Sequence, residues 1–324
     1  MSNVIKILSI DGGGIRGIIP AMVLAEIERR TGKHTCDLFD LIAGTSTGGI
    51  IALALAMPGD DGKPRYQAQD LVALYEKKGE KIFSRSIWHT IEAVGNIKGV
   101  KYTSEGIETV LDEVFGETSL KDALTGVVVT SYDIERQEPF LFKSMKADRD
   151  TSKNFPMRLA ARATSAAPTF FEPLRLETLD PGQYRALIDG LVFASNPALV
   201  GFVEAKNMFP QRNAFLMASL GTGESPSRFI YDDVKHWGVV QWTEPILDIV
   251  LHGISTAVDY QIRQLLPPQD DGTRYYRFQA HLDTANEPMD NFEPSNIRTI
   301  KLIAEEMIRA DDAALTALCE HLLK

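Results

Sequence analysis

Val4-Ile5-Lys6-Ile7-Leu8-Ser9-Ile10 runs straight into Asp11-Gly12-Gly13-Gly14-Ile15-Arg16-Gly17, and the reading of this junction decides the fold. The Ile- and Val-rich stretch predicts a buried strand. The glycines stop it, because they adopt turn conformations that residues with a Cβ avoid. Residues 15–30 then place apolar side chains at helical spacing and end before Gly32. The same rhythm returns immediately. An apolar run at 38–43 is broken by Gly44-Thr45-Ser46-Thr47-Gly48-Gly49, and residues 50–57 follow as an apolar helix closed by Pro58-Gly59. Strand, glycine turn and helix in two successive copies predict βαβ units, hence an α/β fold around a central, mostly parallel sheet.

Farther along, a polar loop at 58–65 leads to expected helices at 69–81 and 104–115. Strands are expected at 127–132, 139–142, 186–188, 215–220 and 275–278, and two helices near 297–310 and 312–322. The chain shows no internal repeat, low-complexity tract or linker. Its 324 residues therefore read as one domain, 1–324, with the motifs inside 4–225 and a helical C-terminal part over 226–324.

Composition narrows the function. A net charge of -10 argues against nucleic-acid polymers, which call for a basic footprint, and against strong adhesion to anionic membranes. Cys36 and Cys319 lie far apart and form no metal-ligand spacing, so structural disulfides are not expected. No stretch approaches the roughly 20 apolar residues that span a bilayer, and the N-terminal stretch is too short and interrupted for a signal peptide. The expectation is a soluble, cytoplasmic protein.

Chemistry concentrates at the two glycine turns. Gly44-Thr45-Ser46-Thr47-Gly48 is a G-x-S-x-G nucleophile elbow between a predicted strand and helix, with Gly44 and Gly48 making room for a sharp turn at Ser46. Asp11–Gly17 offers successive backbone N–H groups at a helix start, suited to holding an oxyanion, with Arg16 to orient the loop or add charge. The rival reading is a dinucleotide site, since Gly12, Gly14 and Gly17 satisfy G-x-G-x-x-G and Asp37 follows. Its acid should close the second strand. Here Asp37 and Asp40 precede that strand, which leads instead to the serine. Ser46 needs a base. Asp189, ending the strand at 186–188, is the leading acid and Asp133 its competitor. His252 and His281 come late enough to complete a Ser-His-Asp triad, although all six histidines read better as surface or packing residues. No metal motif or phosphate loop is present, so neither a metal nor a cofactor is expected.

Taken together these residues resemble the patatin-like phospholipase family, as a bacterial member similar to plant patatins. The family's glycine-rich loop matches Asp11–Gly17, its elbow Gly44–Gly48 and its Asp-Gly motif Asp189-Gly190. Lys101-Tyr102, Phe115-Gly116-Glu117-Thr118-Ser119-Leu120 and Ala163-Thr164-Ser165-Ala166-Ala167-Pro168 also resemble family motifs. The resemblance implies a three-layer α/β/α fold and a hydrolase of phospholipid or other acyl-ester lipids. It implies a Ser46–Asp189 dyad instead of a triad, and an oxyanion hole at Gly12, Gly13, Gly14 and Arg16. Leu191 departs from the pattern, standing where a third small residue is more common. Regulation by a small ligand such as a cyclic nucleotide is neither required nor excluded by these motifs, and they do not address the oligomeric state. Ile87, Trp88, Ile91 and Val94 fall at helical spacing, followed by Lys98 and Lys101, and read first as a helix packed on the core; the alternative is a flap whose apolar face makes transient contact with a membrane surface.

Overall fold

In a computed structural model the described residues are 4–82, 100–179, 182–224, 229–242, 245–269, 272–282 and 289–324. Strand β1 (Val4–Ile10) is flanked on both sides by parallel partners, β2 (Leu41–Thr45) and β7 (Ala214–Leu220). The sheet extends from β2 to β3 (Gly126–Asp133) and from β7 to β8 (Tyr275–Phe278), again in parallel. Three further strands join antiparallel: β4 (Glu138–Lys143) and β6 (Tyr184–Asp189) on β3, and β5 (Leu174–Glu177) on β6. The central sheet is therefore mostly parallel. Its strands read as near-continuous apolar runs because both faces are covered.

Alternation along β1 shows the two covers. Ile5 and Ile7 face one side, packed in a cluster with Ala198, Phe202 and Ala205 of one helix and Val258 and Ile262 of another. Leu8 and Ile10 face the other, in the larger cluster with Ile18, Leu24, Ile51, Leu71 and Leu315. Helices α1 (Ile18–Thr31), α2 (Thr47–Leu55), α3 (Ala68–Ile82), α4 (Ser104–Phe115) and α5 (Met157–Thr164) contribute to that second cluster. Helices α6 (Ala198–Met208) and α7 (Pro245–Leu265) cover the first face, and α8 (Pro294–Ala310) with α9 (Asp312–Leu323) return to the second. The C-terminal part is thus not helical throughout. It places β8 in the sheet, and buried residues of α8 and α9 share a core with the glycine motifs.

Two departures from sequence expectation sit at the glycine turns. The first helix begins three residues later than expected because Gly14–Gly17 form a tight 3-10 turn. The helix after Ser46 starts earlier, at Thr47, so Gly48 and Gly49 lie inside its first turn. The proposed flap at Ile87, Trp88, Ile91 and Val94, together with Lys98, lies outside the described residues.

Candidate active site

Strand pairing explains why two residues 143 positions apart meet. Along Val128–Asp133, β4 occupies one edge of β3. The other edge is shared: β2 takes it as far as Thr45 opposite Thr130, and β6 takes over with Asp189 opposite Ser131. Where β2 stops, β6 brings in its last residue, so Ser46 turns off the sheet beside Asp189.

The turn at Ser46 is strained. Its φ of 55° and ψ of -125° are values that L-residues rarely adopt. Two glycines admit it. A Cβ on Gly44 would sit 2.6 Å from Gly49 N, and one on Gly48 would sit 2.7 Å from the carbonyl carbon of Ile10. The Ser46 amide donates to Thr164 Oγ1 at 2.8 Å, and the Asp189 amide donates to Ala166 O at 3.0 Å. The Ala163–Pro168 stretch, conspicuous in the sequence, therefore straps both residues from one side.

Asp189 is fully buried, whereas Ser46 keeps 9% of its surface open. Burial pushes the Asp189 carboxyl up to about 7, against the lowering influence of the Ser46 hydroxyl and the Leu191 amide. Oδ1 accepts from Leu191 N at 2.9 Å, while Oδ2 is buried without a hydrogen bond of good geometry. The Ser46 hydroxyl is near enough to favour the carboxylate, and catalytic hydrogen bonds often tighten only once substrate is bound. Leu191 itself is half-buried, so the larger residue fits while its amide serves Asp189.

The glycine loop passes on the opposite side, where a Cβ on Gly12 would come within 3.3 Å of the Ser46 Cβ. Sequence analysis expects amide donors from Gly12, Gly13 and Gly14. For Gly12 this needs correction, because its N–H is already spent on Ser195 O at 3.0 Å. Among the described residues, the N–H groups of Gly13 and Gly14 have no acceptor. Their direction is set from behind. Thr222 Oγ1 donates to Gly12 O at 2.7 Å, and Arg16 donates to Gly13 O through its backbone N–H at 3.2 Å and Nε at 3.4 Å. Peptide units are planar and trans, so anchoring the two carbonyls turns the Gly13 and Gly14 N–H groups the other way. Burial pushes the Arg16 guanidinium down to about 10, with Asp248 opposing the shift, so it stays cationic at neutral pH. Gly14 has φ of +58° and is held against Met289, whose carbonyl accepts Ile15 N–H at 2.8 Å.

Asp11 has a different task. Its carboxylate receives both guanidinium arms of Arg277, at 3.0 and 2.6 Å, and the pair is buried. The attraction of Asp11 outweighs burial and raises the Arg277 pKa. This pair pins the start of the glycine loop to β8. Thr222, Ser195 and Arg277 escape sequence analysis, although a lone arginine inside Tyr275–Phe278 and the small-residue turn Gly221-Thr222-Gly223 after β7 are usable signals.

The other contenders are occupied elsewhere. Asp133 is buried, which opposes ionisation, but amides of Glu135 and Arg136 and the guanidiniums of Arg136 and Arg185 hold it below the usual carboxylate range. His281 is 73% exposed and faces Glu224, and His252 lies exposed on α7. Asp37 is exposed in the turn of helix Thr35–Leu38 ahead of β2, away from the strand end that a dinucleotide ribose would need. Among the described residues no group of three or more His, Cys, Asp or Glu could hold a metal ion.

Against known proteins, the family model described as "Patatin-like phospholipase" matches residues 8–201, most of the chain and all of the motifs above. The chain belongs to the patatin-like phospholipase family. Patatin-like protein 4 of Arabidopsis thaliana is 34% identical over 94% of this chain and 84% of its own length. A potato (Solanum tuberosum) relative, 29% identical over 95% of this chain and 87% of its own, bears the name "Probable inactive patatin-3-Kuras 1". The solved structure of VipD from Legionella pneumophila aligns over 95% of this chain and 67% of that chain at 11% identity and a TM-score of 0.42, too loose to carry a comparison.

Proposed function

We propose that this patatin-like chain hydrolyses the acyl esters of phospholipids or related lipids, with Ser46 as nucleophile and Asp189 as its base. The observation that carries this reading is the strained Ser46 beside a buried carboxylate whose pKa is raised to about 7. An ordinary Asp, near 3.9, is a poor base, whereas one near the working pH combines ionisation with a useful drive for proton transfer. Ser46 Oγ attacks the ester carbonyl carbon as its proton passes to Asp189. The carbonyl oxygen becomes an oxyanion at the N–H groups of Gly13 and Gly14, where the charge of Arg16 and the start of the helix behind Ser46 favour it. Collapse breaks the ester C–O bond, the leaving alcohol takes the proton from Asp189, and an acyl-Ser46 ester remains. Water attacks that ester while Asp189 takes its proton, and the proton returns to Ser46 as the fatty acid leaves.

Preorganised amides carry much of this reaction. Losing one such donor typically costs about 2.7–4 kcal/mol of transition-state stabilisation. Mass spectrometry of phospholipid vesicles incubated with the wild-type protein should show free fatty acid and the deacylated lipid. Ser46→Ala should show neither. Equal release by both proteins would remove Ser46 from the reaction.

A further inference from the structure

The surface beside the site carries more exposed apolar area than a folded core leaves by accident. Val239 and Val240 are each 86% exposed on the short helix Val239–Trp242. On the following helix α7, Ile246, Leu247 and Val250 are exposed as well. An amphipathic helix that packed on the core would bury such residues. In α7 the buried residues Val258 and Ile262 lie only in the second half. Clustered exposure of this kind marks an interaction surface. The rings of Trp237 and Trp242 meet edge to face at 5.2 Å within the cluster, and indole favours a membrane–water interface.

This surface is joined to the site by short links. Leu251 O on α7 accepts from Ser195 Oγ at 3.0 Å, Ser195 O accepts from Gly12 N, and Gly12 lies against Ser46. Asp248 lies close enough to Arg16 to oppose the lowering of its pKa by burial. Charge then selects the occupant. Over the described part of 229–252 the charged side chains are Asp232, Asp233, Asp248 and Lys235, and Lys235 is already paired with Asp232 at 2.9 Å. Such a surface repels anionic lipid and offers apolar and aromatic contact to an interface without net charge.

We propose that residues 229–242 and 245–250, with Val239, Val240, Ile246 and Leu247 foremost, dock this protein on a zwitterionic lipid surface and hold the site of Ser46 near it. The proposal rests on the lipid-hydrolase reading above for its choice of partner, but it is testable without turnover. Sedimentation with phosphatidylcholine vesicles is measured in a Ser46→Ala background, with and without Val239→Ser and Val240→Ser. Both valines are solvent-facing, so the fold should be unaffected, which circular dichroism checks. The double substitution should weaken vesicle partition by about tenfold or more, given the apolar area removed. Partition of the parent protein should not fall between about 0.05 and 0.5 M salt, because the attraction is not electrostatic. In the Ser46-intact protein the same pair should slow vesicle hydrolysis while leaving turnover of a short water-soluble ester within about twofold, since both side chains are 86% exposed and neither belongs to the reacting groups. Unchanged partition of the double variant, or binding to anionic vesicles alone that salt abolishes, would overturn the proposal. So would a concentration-dependent dimer that the variant dissolves while vesicle binding persists, since the occupant would then be a second copy of the chain. Loss of turnover by Ser46→Ala with vesicle binding intact keeps the docking surface separate from the catalytic assignment.

Discussion

Asp189 concentrates the physical argument at the scale of single residues. Its pKa is raised from 3.8 to about 7 by burial, so the folded protein prefers the protonated acid while the proposed reaction needs the carboxylate. Activity should therefore fall as pH drops through about 7, approaching tenfold per pH unit below it, as a pH–rate profile of kcat/KM would show. Stability runs the other way. Between the unfolded value of 3.8 and the folded value of about 7 the native state binds the extra proton, so this group costs stability as pH rises and the full cost is reached above about 7. Asp189→Asn keeps an oxygen for the Leu191 amide and removes the buried charge. At pH near 8 it should abolish turnover yet raise the urea midpoint, with a ceiling of about 4 kcal/mol from three pKa units. Near pH 4 that stability gain should vanish. An Asn variant that stays active would end the role of Asp189 as base. Thr222 makes a second residue-scale case. Thr222→Val frees the Gly12 carbonyl and loosens the Gly13 amide behind it. We expect kcat to fall about tenfold or more with KM little changed, and Thr222→Ser to restore it, consistent with a donor needed mainly in the transition state.

Elements decide how much of this was legible in advance. Both strand–turn–helix units are readable in the sequence because their apolar runs have the right period and end in glycine. The elbow helix is expected at residue 50 but begins at Thr47, since Gly48 and Gly49 are poor helix formers whose position is fixed by tertiary contact. Gly48→Ala should accordingly cost at least about 1–3 kcal/mol in chemical denaturation, because its Cβ would meet backbone with no room to yield. A tolerated alanine there would contradict the close approach of α2 to β1. Helix α7 is hard to see for the opposite reason. Its first half is apolar on several sides, which blurs the 3.6-residue period on which sequence analysis depends. Helix α5 is hidden by its small residues, and β5 by its four-residue length. The sequence offers Asp189 as the leading partner for Ser46 and Asp133 as its competitor, and only the family resemblance chooses between them. The physical cause of the meeting with Asp189, two strands sharing one edge of β3, is a tertiary pairing that no local pattern encodes.

At the scale of the whole molecule, residues far apart in sequence hold the catalytic loop in place. Asp11 at the end of β1 and Arg277 on β8 form a buried bidentate pair, and Met289 holds Ile15 from the C-terminal side. Arg277→Met should destabilise the fold by about 3–5 kcal/mol, because burial already raises the Asp11 pKa and the carboxyl is left dry without its partner, whereas pairing it with Asp11→Leu should recover much of the loss. Additive losses in that double-mutant cycle would show that the two side chains do not act as a pair. No described helix is long and apolar enough to cross a membrane. All of this arrangement serves one proposed event, the opening of an ester by Ser46. A fluorophosphonate probe tests that event most directly, because it captures only an activated hydroxyl and leaves a covalent mark that peptide mass spectrometry locates. The account predicts a label on Ser46 in the wild-type protein, strong suppression in Asp189→Asn, and none in Ser46→Ala. A label on another residue that persists in Ser46→Ala, or no label on a protein that hydrolyses lipid, would contradict it.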